Sequence, residues 1–183
     1  ASMGDSAASG GYWIASYADK IVANPSSLTG SIGVIMSWQN WEELYKKIGI
    51  DPEVIKSGPY KDIGSNSREM TAAEKEILQA MIDEMYENFV RVVADARQLS
   101  VERVRELADG RVYTGKQAKE LGLVDELGNY YDALDITARL AGIKGKPEIV
   151  QYGTKTPWEY LFTGFFSRLS LPTIFSEQPL SLS

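Results

Sequence analysis

The apolar residues of this chain change their period several times in quick succession, and that pattern restricts it to a layered α/β fold. Ile21-Val22-Ala23 is a buried run of strand length, closed by Asn24-Pro25. Leu28 to Met36 is rich in β-forming residues but interrupted by Gly30 and Gly33. Trp38, Trp41, Leu44, Tyr45 and Ile48 then recur every three or four positions, as on an amphipathic helix. Glu53 to Lys56 returns to a strand pattern ahead of a loop over residues 57–65. Thr71 with Glu74 forms a capping box, and Ile77, Leu78, Met81, Ile82, Met85, Phe89, Val90 and Val93 fill one face of the long helix that follows. Ser100 caps a shorter helix ending at Asp109-Gly110, and Arg111-Val112-Tyr113 is a strand. Thr114 caps a helix ended by Gly122, and Gly142 stops another over Tyr130–Ala141. A short helix over residues 9–18 and a strand over Glu148–Tyr152 complete the set. Short strands alternating with helices predict parallel pairing.

The 183 residues suit one domain, over residues 1–151, followed by an aromatic-rich segment over 152–183. That last segment gathers Trp158, Tyr160, Phe162, Phe165 and Phe166. Such a cluster docks on its own domain, or serves as a subunit interface, a membrane-surface contact or a tail reaching a site. The net charge of −6 and the lack of any long Lys/Arg run argue against a nucleic-acid partner. No apolar stretch is long enough to span a bilayer as a helix.

The chain has no histidine and no cysteine. A Ser-His-Asp triad, a Cys-His pair, thiolate chemistry and the usual zinc ligand sets are therefore excluded within it. Ser9, in Ala7-Ala8-Ser9-Gly10-Gly11, is a candidate nucleophile. Small residues on both sides suit a sharp strand-to-helix turn, and a helix start offers N–H groups to an oxyanion. Gly10 would let a backbone N–H approach a substrate carbonyl closely. The competing explanation is that the run only allows a helix to pack closely on a sheet. The spacing does not fit a dinucleotide-binding loop.

A serine nucleophile needs a base, and here the base must be Asp, Glu, Lys or Tyr. An unperturbed lysine has a pKa near 10.4, so only about one in 2,500 is neutral at pH 7. Serving as a base requires a drop of about three units, worth about 4 kcal/mol, obtained by desolvation in a confined site. Of eleven lysines, Lys61 stands out by its place in a Gly/Pro-shaped loop ahead of the long helix. Asp62 beside it is equally a surface ion partner.

Several blocks, in order, resemble the signal peptide peptidase A family, the protease IV or S49 serine proteases. They are residues 3–15, Ala18-Asp19-Lys20-Ile21, residues 28–35, Ile55-Lys56-Ser57-Gly58 with Lys61-Asp62, Ser67-Arg68-Glu69-Met70-Thr71, residues 109–113 and residues 118–128. The resemblance implies an α/β fold similar to the Clp protease and crotonase folds, built from repeated β-β-α units and incomplete at the N-terminus. It makes residues 1–151 the C-terminal part of a catalytic domain. It implies Ser9 as nucleophile and Lys61 as general base, since 52 positions separate them as in the family. It implies Ser31 as the residue that orients the lysine amine, and the Gly10 N–H as one oxyanion donor. The family's second donor is a glycine upstream of these residues, and the family also has an N-terminal membrane anchor and further strands there. The region after about residue 152 matches no block of the family.

The expected activity is cleavage of hydrophobic peptides, such as released signal peptides, without metal or cofactor. The resemblance also implies ring-shaped homo-oligomers whose sites are built partly across subunit boundaries, and a membrane-anchored protein with an extracytoplasmic catalytic domain. The rival readings are a crotonase-like enzyme acting on acyl-CoA thioesters, in which Ser9 is incidental, and an inactive scaffold whose aromatic tail binds a membrane or partner.

Overall fold

The computed structural model describes residues 1–150 and 152. Residues 1–145 form one compact unit, and it carries every element below. Two short strands, β1 (Ser2–Met3) and β2 (Ser6–Ala8), lead into helix α1 (Gly10–Ser16). The chain then repeats its path through β3 (Val22–Ala23) and β4 (Leu28–Gly30). β3 lies parallel to β1, with Ser2 opposite Val22, and β4 lies parallel to β2, with Ala8 opposite Gly30. Two successive passes thus run side by side through both sheets, with α1 as the crossover between them.

After β4 come α2 (Glu42–Ile48), the long α3 (Ala72–Arg97) and α4 (Val101–Leu107). Strand β5 (Val112–Thr114) joins β4 antiparallel, α5 (Gly115–Glu120) follows, β6 (Glu126–Leu127) joins β3 parallel, and α6 (Tyr130–Leu140) closes the unit. The sheets have three strands each, ordered β1-β3-β6 and β2-β4-β5. The architecture is mixed α/β.

The expected caps form. Thr71 accepts from the Glu74 N–H while the Glu74 carboxylate accepts from the Thr71 N–H, and Thr114 with Gln117 does the same. Ser100 accepts from the Arg103 N–H. Gly122 and Gly142 follow α5 and α6 with positive φ, as helix-ending residues do.

Four expectations fail. Glu53–Lys56 forms no strand, and neither do residues 148–150 or Tyr152. The β-rich run from Leu28 ends as a strand at Gly30, because Gly30 and Ser31 both take positive φ and turn the chain away. The helix expected from Trp38 begins only at Glu42 and buries none of its residues. Apolar spacing alone does not supply a surface to pack against. Conversely, β1, β2 and β6 were not anticipated. They have two or three residues each, too short to show a period. The aromatic-rich segment, Tyr152 apart, lies outside the described residues.

The core forms where α1 packs on the second half of α3. Phe89, Val90 and Val93 are buried there with Tyr12, and the Trp13 and Phe89 rings meet at 4.6 Å between centroids. The first half of α3 is different, since Ile77, Met81 and Met85 remain exposed. The fully buried Tyr12 hydroxyl donates to the Leu123 carbonyl at 2.9 Å, tying α1 to the loop after α5. Among the described residues no helix is long and apolar enough to cross a membrane.

Candidate active site

Ser9 stands at the junction of β2 and α1, and the junction is strained. Its φ of 52° and ψ of −121° place a residue with a Cβ in a region that side chains disfavour. Two hydrogen bonds hold it there. The Ser9 N–H donates to the Gly30 carbonyl at 2.8 Å, and the Ser9 carbonyl accepts from the Trp13 N–H at 2.9 Å. Ser9 begins α1 but its hydroxyl does not cap the helix, and the residue is exposed. The side chain is therefore turned out of the helix and left available. This is the strand-to-helix elbow that the small residues around Ser9 predict.

Gly10 is the first residue of α1, so its N–H has no partner within the helix. A Cβ built on Gly10 would meet no atom within 4 Å. The space on the Cβ side of Gly10 is therefore open.

Ser31 lies on the other side of the same cleft. Ser9, Ser31, Gly33, Val34, Ile35, Tyr86, Ala108, Asp109 and Gly110 line a cavity of about 380 Å³. Ser31 has a φ of 50°, so both serines of the cleft occupy left-handed backbone. The Ser31 N–H donates to the Arg111 carbonyl at 2.9 Å, and the Gly110 N–H donates to the Ile32 carbonyl at 3.1 Å. Gly33 passes so close to Gly110 that a Cβ on it would lie 3.3 Å from the Gly110 Cα. The wall of the cleft is thus two crossing loops held by backbone hydrogen bonds. The place of Tyr86 in this wall has no signal in the sequence, and Asp109, which opens the block over residues 109–113, has no role there that the sequence assigns.

Lys61 is placed differently. It is exposed on the turn over residues 57–64 and is not among the residues that line the cleft. Its N–H donates to the Gly58 carbonyl at 3.3 Å. The neighbouring Lys56 and Asp62 pair at 2.7 Å, and Asp62 is held in turn by Arg68. The structure therefore brings Ser9, Gly10 and Ser31 to one place and leaves Lys61 on a separate turn. The Arg68 contacts, which the sequence reading passed over, pull the Asp62 carboxyl far below the usual carboxylate range, with the Lys56 ammonium adding to the effect. Among the described residues no group of His, Cys, Asp and Glu is arranged to hold a metal ion.

Comparison with known proteins gives the class. Residues 1–144 match the model of peptidase family S49, and the chain belongs to that family. It is 52% identical over 154 residues to "Putative protease slr0021" of Synechocystis sp., covering 84% of this chain and 55% of that protein. It is 45% identical over 131 residues to "Putative signal peptide peptidase SppA" of Enterococcus faecium, covering 72% and 38% respectively. It is 41% identical over 143 residues to "Protease 4" of Salmonella typhi, covering 78% and 23%. The chain thus spans about half the length, or less, of these curated relatives.

Proposed function

We propose that this chain carries the catalytic part of a serine endopeptidase working with a Ser-Lys dyad on hydrophobic peptides, released signal peptides among them. The observation that carries the reading is Ser9 itself. A strained, exposed serine at a strand-to-helix turn has no structural role that glycine would not fill better.

In this mechanism the neutral Lys61 amine takes the proton of the Ser9 hydroxyl as Oγ attacks the peptide carbonyl. The Gly10 N–H donates to the oxyanion, and a glycine upstream of these residues would supply the second donor. The tetrahedral intermediate collapses, and the Lys61 ammonium gives its proton to the leaving amine. Water, deprotonated by Lys61, then hydrolyses the acyl-enzyme and frees Ser9. Ser31, on the wall of the same cleft, accepts from the amine and keeps it aimed at Ser9.

The exposed place of Lys61 fits a site completed across a subunit boundary, which is the arrangement that ring-shaped homo-oligomers of this family imply. The two parallel passes, β1-β2-α1 followed by β3-β4, fit the repeated β-β-α units of a Clp protease/crotonase-like fold. Membrane anchoring with an extracytoplasmic catalytic domain, and a division into catalytic residues 1–151 and an aromatic segment 152–183, belong to the same proposal on the family resemblance.

The test is a pair of substitutions in the full-length protein, Ser9→Ala and Lys61→Ala, assayed on a hydrophobic peptide and with a fluorophosphonate probe. Both variants lose cleavage, and Ser9→Ala loses labelling, with little change in melting temperature. Cleavage that survives Lys61→Ala refutes the dyad. A wild-type protein whose Ser9 stays unlabelled refutes the nucleophile.

A further inference from the structure

The turn that carries Lys61 has its apolar anchorage at one end, where Ile63 is half-buried and Gly64 lies against the Trp38 ring. Ile55 before it is fully exposed, Tyr60 is half exposed, and α2 on its N-terminal side buries nothing. Side chains on such a segment sample many positions unless polar contacts fix them. Polar contacts are present, and they converge on one residue.

Arg68 uses its whole guanidinium fork. Nε donates to Asp62 Oδ2 at 2.9 Å and Nη2 to Asp62 Oδ1 at 2.9 Å. Nη1 donates to Glu74 Oε2 at 2.9 Å and to the Glu69 carbonyl at 3.1 Å, and Nη2 also reaches Glu74 Oε1 at 2.5 Å. Nη2 also reaches the Asp62 carbonyl at 3.4 Å, so the five N–H groups meet two carboxylates and two carbonyls. Glu74 is buried and already occupied as the capping-box residue of α3, accepting from the Thr71 N–H at 2.8 Å. Asp62, the residue after Lys61, also accepts from Lys56 Nζ at 2.7 Å. The contacts run from the rigid start of α3, through Arg68, to the residue beside Lys61. The charged groups facing this turn are Lys56, Asp62 and Arg68 from the loop and Glu74 from α3.

We infer that Arg68, clamped between Asp62 and Glu74, is a positioning residue that holds the Lys61 turn in its working place and acts on the chemistry only through Lys61. The inference rests on the reading of Lys61 as the base. It explains why an Arg is used. A lysine ammonium is a point charge with three donors and cannot bridge two carboxylates in one plane.

The experiment uses the full-length protein and a hydrophobic peptide substrate, with Arg68→Lys, Asp62→Asn and Lys61→Ala. Peptidase activity and the rate of Ser9 labelling by a fluorophosphonate are followed at a temperature well below each melting point. Arg68→Lys is expected to lower kcat about tenfold or more, the scale of a displaced catalytic group, with KM changed less than twofold. Labelling of Ser9 by a fluorophosphonate slows by a similar factor, because the hydroxyl loses its positioned base. A role confined to stability would lower the melting temperature and leave kcat and the labelling rate unchanged below it, and this result would overturn the inference. Should Arg68→Lys fail to fold, Asp62→Asn decides the matter. It keeps the part-buried Arg68–Glu74 pair, and an unchanged kcat and labelling rate in this variant are equally fatal. Lys61→Ala separates the two claims. If it is inactive while Arg68→Lys and Asp62→Asn behave as wild type, only the clamp is refuted. If it is fully active, the base assignment fails and the clamp's catalytic role fails with it.

Discussion

Replacing Ser9 by glycine should make the protein more stable than replacing it by alanine, although both variants lose the hydroxyl. The reason lies in the backbone. At φ 52° and ψ −121° a residue with a Cβ is strained, and such a conformation costs about 1–3 kcal/mol. Alanine keeps the Cβ and therefore the strain, whereas glycine removes it. Glycine also makes the unfolded chain more flexible, which costs about 0.5–1 kcal/mol. The other differences are small. The Ser9 hydroxyl makes no cap hydrogen bond to lose, and the residue is exposed, so the methyl group of alanine gains little from burial. The net advantage of Ser9→Gly over Ser9→Ala is about 1 kcal/mol. For a domain of this size that corresponds to a rise of about 2–4 °C in Tm. Thermal unfolding followed by circular dichroism, at matched concentrations, measures it. A glycine variant no more stable than the alanine variant would show that the elbow stores no strain, and the physical argument for Ser9 would collapse with it.

Two further outcomes are expected. Gly30→Ala should destabilise the protein by about 2–4 kcal/mol, since φ is +74° and the new Cβ would lie 2.5 Å from the Tyr113 ring. It should also slow fluorophosphonate labelling, because the Gly30 carbonyl accepts from the Ser9 N–H, and a variant with normal Tm and labelling would refute this account. Tyr12→Phe should cost about 1–3 kcal/mol in urea unfolding by leaving the Leu123 carbonyl without its donor. Burial pushes the Tyr12 phenol well above its ordinary range, so its contribution is complete below about pH 10 and lost as pH rises beyond it. The fall in stability above pH 10 should therefore be shallower in the Phe variant.

Much of this protein is written locally. The capping boxes at Thr71 and Thr114 and the positive-φ glycines after α5 and α6 depend on residues within a few positions of one another, and they appear where the sequence places them. The elbow at Ser9 was legible for the same reason, since small residues on either side of a serine are a local signal. The absence of histidine excluded whole classes of catalytic machinery before any coordinate was known. What required the tertiary structure is what depends on residues far apart in the chain. The pairing of Ala8 with Gly30, which delivers the carbonyl that holds Ser9, is a matter of strand register over twenty-two positions. The meeting of Ser9 and Ser31 with Tyr86 and Asp109 around one cleft follows from how α3 and the loop after α4 pack. The exposure of α2, despite its helical spacing, shows that an apolar face is buried only when another surface meets it. Arg68 lies in the family-like block over residues 67–71, but that block assigns it no role, and only its geometry, one planar fork between Asp62 and Glu74, gives it one.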